Sequence, residues 1–412
     1  MKISVKYFIC ILVLFIYMYI PPLFPKGTII IFSFIFLIMW MCSGEIIKKR
    51  EFHLILSVLI LLNAWSAFNY FFAYETISGM ISYLSSEIYI LTFTIGGMLA
   101  IVFLINKYKL SRQETWKLII CSGLVQTILS LVARLYNPFQ TLMCHFLVNI
   151  MSAEDIAWWR NWRLYGLSAS LTYGMPITQA LVGGLCFLYA EKYDAKYFIW
   201  VPFIWLSGII NARVALGVIA VEMLVWFVFK VINFQGKIKR SICIFSGVIF
   251  LVLGVVIAFA LNGIINLSRI TDPIEEILSL LGGHVTFKTQ GYLAYLFADK
   301  KAFDIPRGIQ LILGGGIKNN TSDIGYVRNL WSGGIIYSAF IYIFYLKLVQ
   351  KWESLYNRQQ LIERMIPKIF GLTLFIVNIK GDAFCGISEF LNLFYLGIGI
   401  SIWSIQEKNS NE

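Results

Sequence analysis

Residues 314–347 read GGGIKNNTSDIGYVRNLWSGGIIYSAFIYIFYLK. The first half is polar and glycine-rich, with Asp323 and Arg328 close together; the second half is an apolar run. Taken alone, the first half suggests a phosphate-cradling loop in a soluble nucleotide enzyme. No Gly-Lys-Ser/Thr follows the three glycines, as a P-loop requires. The apolar half has about the ~20 residues that cross a bilayer. Similar runs recur along the whole chain.

Composition agrees with a membrane protein. The chain has 412 residues, 59% of them hydrophobic and 14% charged, with a mean hydropathy of +0.76. A soluble domain is nearer ~25% charged. Phe (33), Tyr (22) and Trp (12) are abundant, as expected where spans meet lipid headgroups. The net charge of +12 does not point to nucleic acid, because the basic residues fall in loops between spans. The fold class expected is all-α: one polytopic membrane domain over 1–412.

Spans are expected at 4–23, 27–44, 52–73, 87–106, 118–136, 167–190, 197–212, 213–230, 241–262, 328–347, 367–379 and 388–405. That makes about twelve transmembrane helices, with both termini on one side. The segment MKISVKYFICILVLFIYMYIPPL has the flank of a signal peptide, but its apolar run is too long and no small-residue cleavage site follows. It reads as the first span. Clusters such as Lys48, Lys49, Arg50 and Lys237, Lys239, Arg240 hold most of the 34 Lys and Arg on the same side as the N-terminus. The positive-inside bias then places both termini in the cytoplasm.

Two long loops remain on the outer side, at 137–166 and 263–327. Both read as folded. In the first, Ser152 with Asp155 starts a short helix, and Trp158, Trp159, Trp162 and Tyr165 alternate with Arg160 and Arg163. In the second, Asp272, Pro273 and Glu275 start an amphipathic helix that Gly282 and Gly283 stop. Such helices suit the membrane interface, with arginines reaching lipid phosphate. They also suit a cap over a lipid-linked substrate.

The outer cations are the informative set, since crossing a membrane does not need them. Arg213 stands between two apolar runs with only Asn211 as polar company, and an arginine deep in a span is costly unless it meets an anion or a partner. Arg134 ends a span on that side, Lys380 and Asp382 lie at an outer turn, and Arg328 follows the glycine segment. Asp323, Asp304, Glu154, Asp155 and His284 are the outer groups able to accept a proton. Glu222 lies nine residues beyond Arg213, on the opposite helix face, so the two make no intrahelical pair. It needs a partner on another helix or carries a proton. Asp323, His284 and Glu222 are the candidate catalytic residues. Arg213, Arg328, Arg160, Arg163, Arg134 and Lys380 are the candidate diphosphate- and glycan-binding set. The glycine segment could also cradle a diphosphate through its backbone N–H groups.

The seven cysteines form no CxxC and read as small apolar packing residues. A Cys144–Cys385 disulfide would need both to face an oxidising compartment, and nothing requires it. His53, His145 and His284 show no metal-ligand spacing, so no metal site is expected. Several cations on the face away from nucleotides suit a phosphate-bearing lipid. Glycosyl transfer from such a lipid needs a stabilised diphosphate leaving group and a deprotonated acceptor hydroxyl. Guanidinium groups can do the first without a metal.

These features resemble the O-antigen polymerases of Gram-negative bacteria, the Wzy-type family. The matching stretches are RNWRLYGLSASLTYG entering a span, NARVALG, the second loop ending GGGIKNNTSDIGYVRNLWSGGIIY, and NIKGDAF before the last span. The resemblance implies a GT-C-like membrane fold and a glycosyltransferase of lipopolysaccharide biosynthesis in the inner membrane, with no cofactor. Its substrates would be undecaprenyl-diphosphate-linked glycans, joined at the periplasmic face with release of undecaprenyl diphosphate. Membrane lipids, a chain-length regulator and a flippase of the same pathway would be its partners. The related O-antigen ligases share this layout. In them a histidine is expected nearer the glycine segment, where this chain has Asp323, and that departure favours a polymerase. A lipid-linked oligosaccharide flippase is the rival from another class, but its loops should be short on both sides.

Overall fold

The computed structural model describes residues 5–23, 28–42, 50–74, 88, 90–160, 163–171, 173–233, 246–247, 254, 303–316, 322–357, 360–384 and 389–403. Nearly all of the expected span 241–262, the expected helix at 272–283, and His284 and Cys385 lie outside them.

Among the described residues there is no strand. The helices are α1 Val5–Tyr19, α2 Thr28–Met41, α3 Arg50–Tyr74, α4 Gly96–Lys107, α5 Arg112–Leu135, α6 Asn137–Leu147 and α7 Ala153–Trp159. They continue with α8 Gly174–Lys192, α9 Val201–Ile209, α10 Val214–Asn233, α11 Ile309–Leu313, α12 Gly325–Ser354, α13 Leu361–Val377 and α14 Glu389–Trp403. Five are long and apolar enough to cross a bilayer: Arg50–Phe72, Ile90–Lys107, Arg112–Leu135, Val214–Ile232 and Gly325–Ser354. Val5–Tyr19, Thr28–Met39, Ala195–Ile209 and Glu389–Ile402 are shorter apolar helices.

The bundle is organised around α8. Every residue from Gly174 to Ala190 is buried, and the helix packs against α5, α9, α10, α13 and α14. A helix apolar all round can bury itself only by taking a central place. Local polar knots fix the outer ring. A turn of π-helix, Ile90–Ile95, precedes α4. The Tyr17 hydroxyl donates to the Thr94 carbonyl there at 2.8 Å, and Thr94 Oγ1 donates to Asn392 Oδ1 at 2.8 Å.

The two ends of the bundle differ in chemistry. At the end expected inside, charges are paired. Lys192 meets Glu363, Lys230 meets Glu191, and Arg364 and Lys368 share Glu353 at 2.7 and 3.2 Å. A Ser111–Glu114 capping box starts α5 there, and Tyr7 donates to Glu114 at 2.6 Å. The opposite end gathers loops, with Arg328 beside Asp323 at 3.5 Å.

Three departures from the expected spans matter. The span expected from 167 begins at Gly174, and residues 164–171 are non-helical. The span expected at 197–212 is a turn of 3-10 helix followed by α9, only nine residues long. Nine residues rise roughly 14 Å, about half of a ~30 Å hydrocarbon core. Finally, α12 is broken at Gly334, which has φ +72°.

The break in α12 explains the three glycines at 314–316. Gly314 lies against the backbone of Gly333, and Gly334 faces the Ile312 carbonyl; neither has room for a Cβ. The carbonyls freed by the break find new donors. Gly315 N–H donates to Trp331 O at 2.8 Å, Trp65 Nε1 donates to Gly333 O at 3.1 Å, and Ser338 Oγ donates to Gly334 O at 2.8 Å. Asn69 Nδ2 donates to Leu313 O from the same face of α3. Gly334→Ala is therefore expected to cost on the order of 1–3 kcal/mol, read as a fall in the thermal unfolding midpoint of purified protein. Gly217→Ala, in α10 with open space around its Cα, is the control. It should hold that midpoint or raise it, because alanine favours a helix by roughly 0.5–1 kcal/mol.

Candidate functional site

The segment 163–171 enters the bundle from the end expected outside without forming a helix. Non-helical backbone buried among apolar helices must have every polar group satisfied. Side chains from the surrounding helices do this. Asn211, fully buried at the end of α9, clamps Tyr165 from both sides: its Nδ2 donates to Tyr165 O at 2.8 Å and its Oδ1 accepts from Tyr165 N at 3.3 Å. Gln126 on α5 accepts from Leu167 N–H at 3.4 Å; with its amide turned over, which satisfies both ends, it donates to Leu167 O at 3.3 Å and accepts from Leu167 N–H at 3.2 Å. Ala169 N–H donates to Tyr19 O at 3.2 Å. At the bottom, Glu389 Oε1 accepts from Ser168 Oγ at 2.7 Å and from Ser170 N–H at 2.8 Å. Glu389 is 1% exposed and opens α14. It also lies against Gly174, the first residue of α8, so the starts of two helices meet at this side chain.

This lacing sets the outer cations. Arg163 and Arg213 each stand two residues from the Tyr165–Asn211 clamp. Arg163 is half-buried, with its guanidinium 4.5 Å from the Trp159 ring centroid. Burial, and then the nearby Arg213, push the Arg163 pKa below its ordinary value. Arg213 itself is exposed, in the tight turn between α9 and α10. It thus stands at the end of a span, where the sequence placed it, and the early end of α9 leaves it exposed there.

The Lys380 turn approaches from the other side. The Tyr173 hydroxyl donates to Val377 O at 3.1 Å, and its ring covers Gly381. Gly325, two residues after Asp323, lies against Asn378 and the Gly381 carbonyl. Asn378 Oδ1 accepts from Ala383 N–H at 2.9 Å and closes the turn. Lys380 is half-buried there. Burial lowers its pKa first; Arg163 and Arg213 add to that, and Asp323 opposes it. Asp323 Oδ1 stands 3.5 Å from Arg328 Nη2, and Arg328 Nε donates to Ser322 O at 2.6 Å. Arg163, Arg213, Lys380 and Asp323 thus lie within electrostatic range of one another at this end of the bundle, with Arg328 beside Asp323.

The remaining candidates are placed apart or alongside. Arg134, in the last turn of α5, donates from Nη1 to the Tyr165 hydroxyl at 2.8 Å; it supports the laced segment. Arg160 turns to α6, where its Nη2 donates to Thr141 Oγ1 at 2.5 Å. Glu222 is 1% exposed, packed against Gly184 of α8 beside Trp205. It lies about 13 Å of helix rise below Arg213, and the structure does not bring it to the outer cluster. The backbone N–H groups of Gly314 and Gly315 are committed to Gln310 O and Trp331 O, so these two do not cradle an anion. Among the described residues no group of His, Cys, Asp and Glu could hold a metal ion.

Sequence reasoning missed Glu389, Gln126 and the role of Asn211. One signal was available: a carboxylate at the start of the apolar run EFLNLFYLGIGI is costly unless something receives it. Asn211→Ala is expected to leave the Tyr165 N–H and C=O buried without partners, at on the order of 1–3 kcal/mol for each group. The unfolding midpoint of the purified protein reads this directly. Thr141→Ala, which removes only exposed hydrogen bonds to Arg160 and to the Asn137 carbonyl, should change stability by less than about 0.5 kcal/mol. Comparison with protein-family models, with characterised proteins and with solved structures finds no match to this chain.

Proposed function

We propose that the chain is a polysaccharide polymerase of the O-antigen type, a glycosyltransferase of the bacterial inner membrane. It would join undecaprenyl-diphosphate-linked repeat units at the periplasmic face and release undecaprenyl diphosphate. The observation that carries this reading is that Arg163, Arg213 and Lys380 lie within electrostatic range of one another, with Asp323 and Arg328, at one end of an apolar helical bundle. Three cations held close together repel one another. A multivalent anion relieves that repulsion, and a lipid diphosphate is the multivalent anion that a membrane presents at this depth.

The chemistry follows from the parts. Transfer needs charge stabilisation at the departing diphosphate. Guanidinium groups give it as planar, always-charged forks. Arg163 and Arg213 sit on separate elements locked by one Asn–Tyr clamp, so their spacing is fixed before a ligand arrives. Such preorganisation is what lets charges stabilise a transition state rather than reorganise around it. Arg328, tied to Ser322 and Asp323, would contact the glycan or the second phosphate.

Arg213→Ala and Arg328→Ala are expected to leave the protein inserted but abolish long polymer, while a single repeat unit still reaches the lipid A core. A lipopolysaccharide gel reads both. Full-length ladders from both variants would sink the assignment. The same gel on a deletion strain separates the classes. A polymerase null leaves core plus one repeat, a ligase null leaves polymer on the lipid carrier, and a flippase null leaves no outer-face product.

A further inference from the structure

We propose that Trp158 is a stacking platform for a sugar ring of the glycan, one indole away from the Arg163 guanidinium. The proposal deepens the glycosyl-transfer reading above and rests on it for the identity of the glycan.

The geometry comes from α7 and the residues after it. The helix is seven residues long and is pinned by Ile156, its one buried residue. Trp159 is half-buried and packs on the main apolar core. Trp158 turns outward and is 65% exposed. The two indole centroids are 4.2 Å apart, with the ring planes at 72°. The Arg163 guanidinium stands 4.5 Å from the Trp159 centroid. Trp159 therefore links an accessible aromatic face to one of the cations at this end of the bundle.

An exposed tryptophan near a bilayer has two natural occupants, lipid and sugar, and the spacing in AEDIAWW selects between them. Glu154 and Asp155 are exposed. They lie four and three residues before Trp158, so they share its face of the helix. A helix that lies in the interface does the reverse: Trp, Phe and Leu sit on one face, and Lys and Arg on the other. Helix α7 has no cation, and sinking Trp158 into lipid would carry two carboxylates with it. A charged side chain is expensive there, and anionic headgroups repel it. Helix α6, by contrast, exposes Leu142 and Val148, side chains that suit lipid.

A sugar suits the same arrangement. One face of a pyranose presents C–H bonds, slightly positive, which match the negative face of an indole. The hydroxyls around its rim need acceptors and donors. The carboxylates of Glu154 and Asp155 supply acceptors. Asp155 already takes the Ser152 hydroxyl at 2.7 Å, but a carboxylate has about four acceptor sites. An aromatic surface with a few polar groups at its edge fixes both the position and the orientation of such a ligand. Under the transfer reading, the sugar joined to the diphosphate lies at Arg163, and a later sugar of the same chain reaches Trp158. Trp158 then binds and steers the glycan and takes no part in bond making.

Two experiments test the assignment. The first uses wild-type protein in phosphatidylethanolamine–phosphatidylglycerol nanodiscs and a water-soluble benzylating reagent for indole, read by peptide mass spectrometry. The probe is delipidated polysaccharide, released by mild acid from the surface of the bacterium that carries this chain. Trp158 should label readily without it. With polysaccharide at about twice its dissociation constant or more, Trp158 labelling should slow by at least about threefold. Trp200, 46% exposed at the end expected inside, should keep its rate. An unchanged Trp158 rate overturns the proposal. So does a Trp158 that labels in detergent but not in nanodiscs, since lipid then covers it. The second experiment compares Trp158→Ala with Trp158→Phe on a lipopolysaccharide gel. The residue is exposed, so neither change threatens the fold. Alanine should shift the ladder to shorter chains, and phenylalanine, which keeps an aromatic face, should restore most of the length. If Trp158→Ala gives a normal ladder while Arg213→Ala gives none, the platform fails alone. If polysaccharide protects Trp158 while Arg213→Ala and Arg328→Ala both polymerise normally, the transfer reading fails and the sugar platform stands.

Discussion

The end of the bundle expected outside depends on one constraint: buried backbone over residues 164–171 that forms no helix. In an apolar bundle each unpaired N–H or C=O costs several kcal/mol, on the order of what a whole side chain gains by burial. The chain meets this with side chains rather than secondary structure. Asn211 takes Tyr165, Gln126 takes Leu167, and Glu389 takes Ser168 and Ser170. The donors and acceptors come from α9, α5 and α14, so folding the segment also fixes those three helices relative to one another. A non-helical stretch that looks like a weakness becomes the joint of the bundle end.

The joint explains why short elements suffice around it. Helix α9 is too short to cross a bilayer, and its early end puts Asn211 two residues beyond it and Arg213 in the turn that follows. The break in α12 does comparable work on the other side. It creates free carbonyls at Trp331 and Gly333, and the Gly314–Gly316 strand of backbone and Trp65 satisfy them. In both places the local rule of an uninterrupted helix is broken and the backbone is repaired by neighbours. That is where functional sites are found in membrane bundles, because irregular backbone at depth is tolerated only when protein surrounds it.

The sequence made the helical, membrane-embedded character plain, since apolar runs and charge distribution act locally and show in a single chain. It also marked Arg163, Arg213, Lys380, Asp323 and Arg328 as unusual, because cations on an outer face have no role in crossing. It could not show which of them meet. Arg160 and Arg163 look equivalent in RNWR, but Arg160 turns to Thr141 while Arg163 stacks on Trp159. That difference depends on where α6 lies, which no short-range pattern encodes. Glu222 looked like a candidate because a lone carboxylate in a span is rare. Its surroundings, Gly184 and Trp205, are brought there by helix packing far from Arg213. The stretch from 167 was read as the start of a span because its residues are apolar enough. The side chains that hold it open lie from about forty to over two hundred residues away along the chain.

The two ends of the bundle solve opposite problems with opposite chemistry. At the inner end, lysines and arginines meet carboxylates, and the pairs lock helices together. At the outer end, the ties that bring Arg163, Arg213 and Lys380 into range are neutral or run through backbone: Asn211 to Tyr165, Tyr173 to Val377, Asn378 to Ala383. The distinction has a consequence for binding. A scaffold assembled through ion pairs would compete with any anion for the same cations, and each binding event would loosen the fold. A scaffold assembled through neutral hydrogen bonds keeps its shape when charge arrives or leaves. Under the proposed glycosyl-transfer reading, the geometry of the cationic end then stays constant while a diphosphate is held and released.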